Sequence, residues 1–313
     1  MKLSKAIEAY IAHKRSLGMS FRSDAVRLRA FVKSVGDGEI RQVRPQAVRR
    51  FLDGQGPVTS FWFSKYHSLT AFYRYAIARH YVEKSPLPRS TPQKPEKFLP
   101  YIYTNDDMKK LIDAADSRHR SDWLLTPDTV RTLLLQLYGT GLQISEALRL
   151  NLEDFDRDAG VLTIRKSKFF KSRFVPIGSD LHRVLEVYIG RQWPPAYHVD
   201  RTPLLGTVKH QRITRQTAEL VYKRLREEAG VCRSMDARFQ PRLHDLRHTF
   251  AVVRLVTWYR EGKNVQRLLP HLTTYLGHGT IQGTTRYLTM TSELLQEASS
   301  CFERYARPEV PHD

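Results

Sequence analysis

At 313 residues, with 41% hydrophobic and 11% aromatic side chains, the chain has the composition of a globular protein with room for two domains, which excludes an intrinsically disordered one. Lys and Arg outnumber Asp and Glu by 51 to 32, a net charge of +19, so a polyanionic partner is expected. No apolar run approaches the length of a bilayer span, and no basic amphipathic helix carries a bulky apolar face, which favours nucleic acid over a membrane.

In chain order, residues 1–83 read as a helical domain of four helices. Ser4 is placed to cap a run that turns Ile7, Tyr10 and Ile11 to one side and stops at Gly18. Ser23 opens a second helix with Val26, Ala30 and Phe31 inward, ending near Gly36. Pro45 suits the first turn of a third, which carries Val48, Phe51 and Leu52 and closes at Gly54. A fourth begins at Thr59 or Ser60 and runs through Phe63, Tyr66, Leu69, Phe72, Tyr73 and Ile77. Residues 1–100 hold 19 Lys and Arg against 7 Asp and Glu, so most of the excess charge lies in this third of the chain. Arg41, Arg44, Arg49 and Arg50 are the candidate phosphate contacts; a solvated face also carries such charges, but here acids do not balance them.

Residues 84–100 contain five prolines and several basic residues, a composition suited to an extended basic linker. A larger domain, 101–313, opens with Thr104 as a helix cap and Asp107 three residues on. Val130 to Tyr138 reads as a buried helix, and Val161–Ile164 and Arg173–Pro176 as two strands joined by a Lys-rich turn. Helices are expected over Asp180–Tyr188, Thr214–Ala229, Leu243–Trp258 and Val265–Leu276, with a last one over 292–305. The fold class is mainly α with a small β-sheet.

Chemistry concentrates in the second domain. His244 and Arg247 stand three apart in Arg242-Leu-His-Asp-Leu-Arg-His248, so on a helix they share a face. His278 lies between glycines in Leu276-Gly-His-Gly279, and Tyr287 follows nine residues later in Thr284-Thr-Arg-Tyr287. Lys168 sits in the hairpin turn. Cations and imidazoles around a phenol suit attack on a phosphodiester: donors stabilise the crowded anionic phosphate, an acid protonates the leaving oxygen, and the phenol loses its proton. His244 and His248 are also spaced as zinc ligands, but Asp245 is not the Glu of HExxH and no third ligand stands out. Cys232 and Cys301 belong to no ligand or redox spacing. Neither metal nor cofactor is expected.

These segments resemble the tyrosine recombinases, the phage integrase family. Gly139-Thr-Gly-Leu-Gln-Ile-Ser-Glu-Ala-Leu148 is similar to the family's first box, TGLRxSE. Thr163 to Pro176 resembles its hairpin, closing on Arg173-Phe-Val-Pro176; His244 and Arg247 match HxxR, and Leu276-Gly-His278 matches LGH. Tyr10 to Gly18 is similar to the opening of the family's core-binding domain. The resemblance implies a four-helix core-binding domain and an α+β catalytic domain closing on double-stranded DNA as a C-shaped clamp. It implies attack by Tyr287, a 3′-phosphotyrosyl link, a Holliday junction and a homotetramer on two DNA sites that exchanges C-terminal helices. Arg247 would clamp the phosphate, Lys168 protonate the leaving oxygen, His244 assist proton transfer and His278 hydrogen-bond the phosphate. Lys171 is the other candidate for the lysine, and with Arg173 is otherwise expected to contact DNA; Glu146 would orient a basic neighbour. A cytoplasmic, nucleoid-associated protein of a bacterium follows, with transposition among its possible roles. Met1 to Tyr10 carries no signal-peptide core.

One position departs from the pattern. Gln143 stands where the family has its first catalytic arginine, and an amide offers one neutral donor in place of a charged fork. Arg149, six positions on, is too far along a helix to replace it. A catalytically impaired recombinase is therefore expected. Two alternatives remain open: an architectural DNA-binding protein that no longer cuts, and a type IB topoisomerase, which uses similar chemistry.

Overall fold

The computed structural model describes residues 1–95, 98–117, 124–165, 172–194, 196, 199–234, 237, 239–289, 294–297 and 299. The chain divides into two compact units, Met1–Phe98 and Leu99–Asp313.

The described residues of the first unit form α1 (Leu3–Ser16), α2 (Arg22–Val35), α3 (Pro45–Asp53) and α4 (Ser60–Ala78). Leu3, Ile7, Tyr10 and Ile11 of α1 pack with Leu28 and Phe31 of α2, Val48 and Leu52 of α3, and Trp62, Leu69, Phe72 and Tyr73 of α4. Fully burying each large side chain contributes about 1.5–3 kcal/mol, so these stripes hold the bundle together. Pro45 occupies the first turn of α3, and Thr59 caps α4 by accepting the Phe61 N–H at 3.3 Å. Lys65 of α4 donates to the Phe51 carbonyl at 2.7 Å, placing a cation on the open C-terminal end of α3.

Two expected caps differ. Ser4 lies inside α1 and bonds Asp37 through both its N–H and its hydroxyl, each at 2.8 Å. Ser23 lies inside α2, whose preceding residue is Phe21 in left-handed backbone. The buried stripe of α2 is Ala25, Leu28 and Phe31, while Val26 and Ala30 face solvent. Arg27, on the inner side of Val26, donates to Ser68 at 2.9 Å and Asp24 at 2.8 Å, which sets the rotation of the helix.

In the second unit, α5 (Asn105–Asp116) carries the Thr104–Asp107 capping box. α6 (Pro127–Thr140) packs against α5, against α8 (Ser179–Gln192) and against α10 (Asp245–Arg260). Between them come a four-residue helix, α7 (Ile144–Ala147), and an antiparallel sheet in the order β1 (Phe155–Asp156), β2 (Val161–Ile164), β3 (Arg173–Pro176). The two expected strands pair as a hairpin with Leu162 opposite Val175; β1 adds a third strand whose two residues are too few to show an alternation. Further helices among the described residues are α9 (Arg215–Glu228), α11 (Val265–Leu276) and α12 (Gln282–Thr285).

A large core centred on Leu133, Leu134, Leu162, Leu185, Leu225 and Leu246 is accompanied by a smaller cluster of Leu255, Leu269, Leu276, Tyr287 and Leu294. Of the helix expected over 292–305, Leu294 to Glu297 are helical, with Leu294 buried in that cluster and Glu297 accepting from Arg260 at 2.8 Å. Most of the remaining segment lies outside the described residues.

Candidate active site

The site forms where two helices end. α6 stops at Gly141 and α11 at Gly277, both in left-handed backbone, φ +61° and +70°. A β-carbon at Gly141 would lie 2.5 Å from the Phe250 ring, and one at Gly277 would lie 2.6 Å from Arg173 Nη1, so these two positions need glycine for space as well as for conformation. Each helix end turns a carbonyl onto one guanidinium. Arg247, in the first turn of α10, donates from Nη1 to the Gly141 oxygen at 2.8 Å and from Nη2 to the Leu276 oxygen at 2.6 Å. The negative ends of two helices thus hold a buried cation.

The counter-charge is Glu146, at the third position of α7. Its Oε2 accepts the Gln143 N–H at 3.1 Å and lies 4.0 Å from Arg247 Nη1. Arg173 of β3 grips the same carboxylate with both terminal nitrogens, at 2.8 and 2.9 Å, and its Nε donates to the Tyr275 carbonyl at 2.8 Å. Both side chains of this pair are 8% exposed. Each of the three Arg173 nitrogens donates to the protein, which leaves two of its five N–H groups for another partner. Arg173 is the basic neighbour of Glu146, and it ties the sheet to α7 and the end of α11.

Burial alone would push the Glu146 carboxyl up, but the hydrogen bonds and charge of Arg173, with the Gln143 N–H and Arg247, outweigh it and leave the group below the ordinary carboxyl range. A carboxyl held low in the folded state stabilises the fold above its unfolded value, near 4.5, and loses that contribution as pH falls through the folded value. Glu146→Gln leaves two buried guanidinium groups without a counter-charge. It should lower the unfolding free energy of the protein at pH 7 by about 3 kcal/mol. In urea titrations the deficit should shrink below pH 4.5, where protonation weakens the same pairing in the unaltered chain. A deficit that persists unchanged into acid would show that the carboxylate charge is not what holds the arginines.

Around Arg247 stand three imidazoles and a phenol. His244 immediately precedes α10 rather than lying within it, but its carbonyl accepts the Arg247 N–H at 3.2 Å, so the pair still shares one turn. The His248 ring is 5.1 Å from that of His244 and 5.5 Å from that of Tyr287, edge-on to both. His278 stacks on Tyr287 at 6.0 Å and 24°. Tyr287 is 2% exposed. Burial raises its hydroxyl pKa, and the charges of Arg247 and Arg286 oppose the rise.

Burial, then the surrounding cations, pulls each histidine down. His278 falls to about 4, with Arg247, Arg286 and Arg173 adding to burial. His248 falls to about 3, with His244 and Arg286 adding to it. His244 is lowered by loss of water and by Arg247 and Arg242. At neutral pH these rings are uncharged, so they donate or accept single hydrogen bonds while the arginines supply the charge.

The other expected residues fall in three places. Gln143 is half-buried at the start of α7, on the turn that carries Glu146. Arg41, Arg44, Arg49 and Arg50 are exposed in the first unit; Arg41 donates to the Tyr81 carbonyl at 3.2 Å and Arg49 lies 3.7 Å from Asp53. Lys168 and Lys171 lie outside the described residues. The pairing of Arg173 with Glu146, the packing of His248 on Tyr287 and the contact of Thr284 with His278 are not legible in the sequence, where Arg173 lies within a box and the other two residues adjoin one.

This constellation sits on a chain that belongs to the phage integrase family, the tyrosine recombinases: the family profile matches residues 102–293. A Sinorhizobium fredii chain named as an integrase/recombinase is 32% identical over 304 residues, covering 96% of each chain. Among solved structures, the Tn1549 transposon integrase in complex with transposon right end DNA superposes with a TM-score of 0.73 at 16% identity, covering 98% of this chain and 100% of that one. A lambda integrase tetramer bound to a Holliday junction gives 0.65 at 15% identity, covering 90% and 78%. At these identities the two structures establish the shared fold, a mainly helical recombinase architecture with a small sheet.

Proposed function

We propose that this chain is a site-specific DNA recombinase of integrase type that cuts and rejoins duplex DNA through Tyr287. The observation that carries the reading is the phenol of Tyr287 held beside a buried, carbonyl-fixed Arg247 and stacked on His278. The Tyr287 oxygen attacks the scissile phosphorus, the bond to the 5′ oxygen breaks, and a 3′-phosphotyrosyl link forms. Lys168 gives the leaving oxygen its proton, so that a 5′ hydroxyl departs; Arg247 and the N–H of His278 hold the non-bridging oxygens. A neutral His244 accepts or relays the phenolic proton. The net charge of +19, with Arg41, Arg44, Arg49 and Arg50 exposed on the first unit, supports binding to the DNA backbone.

Exchange through a Holliday junction in a tetramer, and a place on a transposon, are the finer parts of this reading; they draw on the recombinase family and on the assemblies in which similar folds occur. Leu294 packs in its own chain, so trading that segment to a neighbour requires it to leave the cluster around Tyr287. Gln143 favours a second reading, an architectural DNA-binding protein, and the first is accordingly proposed in weakened form: a recombinase slowed at its chemical step. The test is a suicide substrate, nicked beside the cleavage point, built on a site selected from random duplexes by binding to the chain. Slow accumulation of a covalent protein–DNA adduct on a denaturing gel supports the recombinase; tight binding with no adduct after prolonged incubation leaves the architectural reading.

A further inference from the structure

Among the described residues no hydrogen bond holds the His244 ring, so its place depends on the backbone that carries it. That backbone is a tight turn ahead of α10, closed by the Asp245 N–H, which donates to the Arg242 carbonyl at 2.8 Å. Tyr103, buried near the start of the second unit, holds the turn at both ends. Its hydroxyl donates to the Arg242 carbonyl at 3.0 Å. Its N–H donates at 3.0 Å to the Thr249 hydroxyl, which donates in turn to the Asp245 carbonyl at 3.0 Å. Each proton has one destination: carbonyls only accept, so Thr249 spends its proton on Asp245 and Tyr103 spends its own on Arg242. The Tyr222 hydroxyl of α9 is hydrogen-bonded to that of Tyr103 and, with the Tyr103 proton committed, is the donor of the pair. Thr249 and Asp245 are fully buried, so no solvent stands ready to replace these partners.

We infer that Tyr103 is a positioning residue for His244: it grips the turn at Arg242 with its hydroxyl and at Asp245 through Thr249, and so fixes where the imidazole stands. The grip comes from 139 residues away in the chain, which is why no spacing within the box announces it. Asp245 adds a local brace, its carboxylate accepting the Arg242 N–H at 3.0 Å and the Arg242 guanidinium at 2.8 Å. That brace keeps the shape of the turn, while Tyr103 keeps its place against the rest of the unit. The inference rests on the recombinase reading for its consequence, a proton carried by His244, though not for its geometry.

Two measurements test it, and the first needs no DNA. In the full chain with isotope-labelled histidine, and with His244→Gln used to assign the signal, the His244 ring should titrate below its ordinary value of 6.5, held down by burial and by the charges of Arg247 and Arg242. Tyr103→Phe keeps the buried ring and removes the donor to Arg242. It should move that titration toward 6.5 and slow single-turnover cleavage of the suicide substrate by about tenfold or more, with site affinity nearly unchanged. The same change orphans the Tyr222 proton, so the double variant Tyr103→Phe/Tyr222→Phe separates placement from stability. It should regain most of the stability that the single variant loses in urea, yet stay slow. Tyr222→Phe alone leaves the bond to Arg242 intact and should cut at close to the unaltered rate. Where the single variant does not fold, the double one carries both readouts. A Tyr103→Phe variant that leaves the His244 titration in place, or that cuts at the unaltered rate, overturns the inference, as does a double variant whose rate returns with its stability. If no variant forms an adduct, the recombinase reading fails while the titration still decides whether Tyr103 places His244.

Discussion

Tyr287→Phe should abolish the covalent protein–DNA adduct altogether. The substitution keeps the ring that packs between His248 and His278 and removes the one atom able to bond to phosphorus. Because the chain as it stands is expected to cut slowly, the comparison is cleanest in a Gln143→Arg background. There the phenylalanine variant should bind its site with nearly unchanged affinity, since a buried side chain contributes little to the many phosphate contacts of binding. The readout is a pair of gels on the same samples, native for binding and denaturing for adduct. Adduct that persists without the phenol would transfer the role to another nucleophile and end the assignment of Tyr287.

Gln143→Arg is expected to raise the cleavage rate by about a hundredfold or more, because each 1.4 kcal/mol of barrier is roughly a factor of ten and a preorganised donor at developing charge contributes about 3 kcal/mol. The backbone of residue 143 already adjoins the charged cluster. Residue 143 starts the turn of α7, its N–H already held by Glu146, whose carboxylate lies beside Arg247. One more cation in that cluster faces two existing arginines and a single carboxylate, and a bound phosphate supplies the missing negative charge. Site affinity should change far less than rate. Gln143→Lys is the control: it returns the charge without the planar fork and should rescue only in part. The assay is single-turnover cleavage at saturating protein and fixed salt. An arginine variant no faster than the unaltered chain would place Gln143 outside the phosphate pocket.

Much of the fold could be read along the chain because local signals carried it. The Thr104–Asp107 box, Pro45 ahead of Val48 and Leu52, and the run from Val265 to Leu276 each announce an element through caps or period. What could not be read depends on neighbours distant in sequence. Two adjacent stripes of α2 are apolar, and only the partner helices, with Ser68 receiving Arg27, select Ala25, Leu28 and Phe31 over Val26 and Ala30. A two-residue strand such as β1 and a four-residue helix such as α7 hold too few positions to show a period.

The site divides in the same way. Spacing within the boxes picked out His244, Arg247, His278 and Tyr287, which the fold then brings together. An arginine in a basic hairpin suggests a DNA contact, and nothing local announces its protein partners, Glu146 and Tyr275, which are 27 and 102 residues away. Nothing in the sequence sets Thr284 apart from Thr285; its contact with His278 depends on the fold.

A guanidinium has five N–H groups, and the helix ends of α6 and α11 have already claimed two of those on Arg247. The direction of the others is fixed by those two bonds, and Tyr287 lies within hydrogen-bond reach of the same side chain. Turning that side chain would break both bonds, so on the proposed reading a phosphate meets donors that need no ordering when it arrives. The two left-handed glycines that end those helices thereby set the aim of the arginine in the backbone itself.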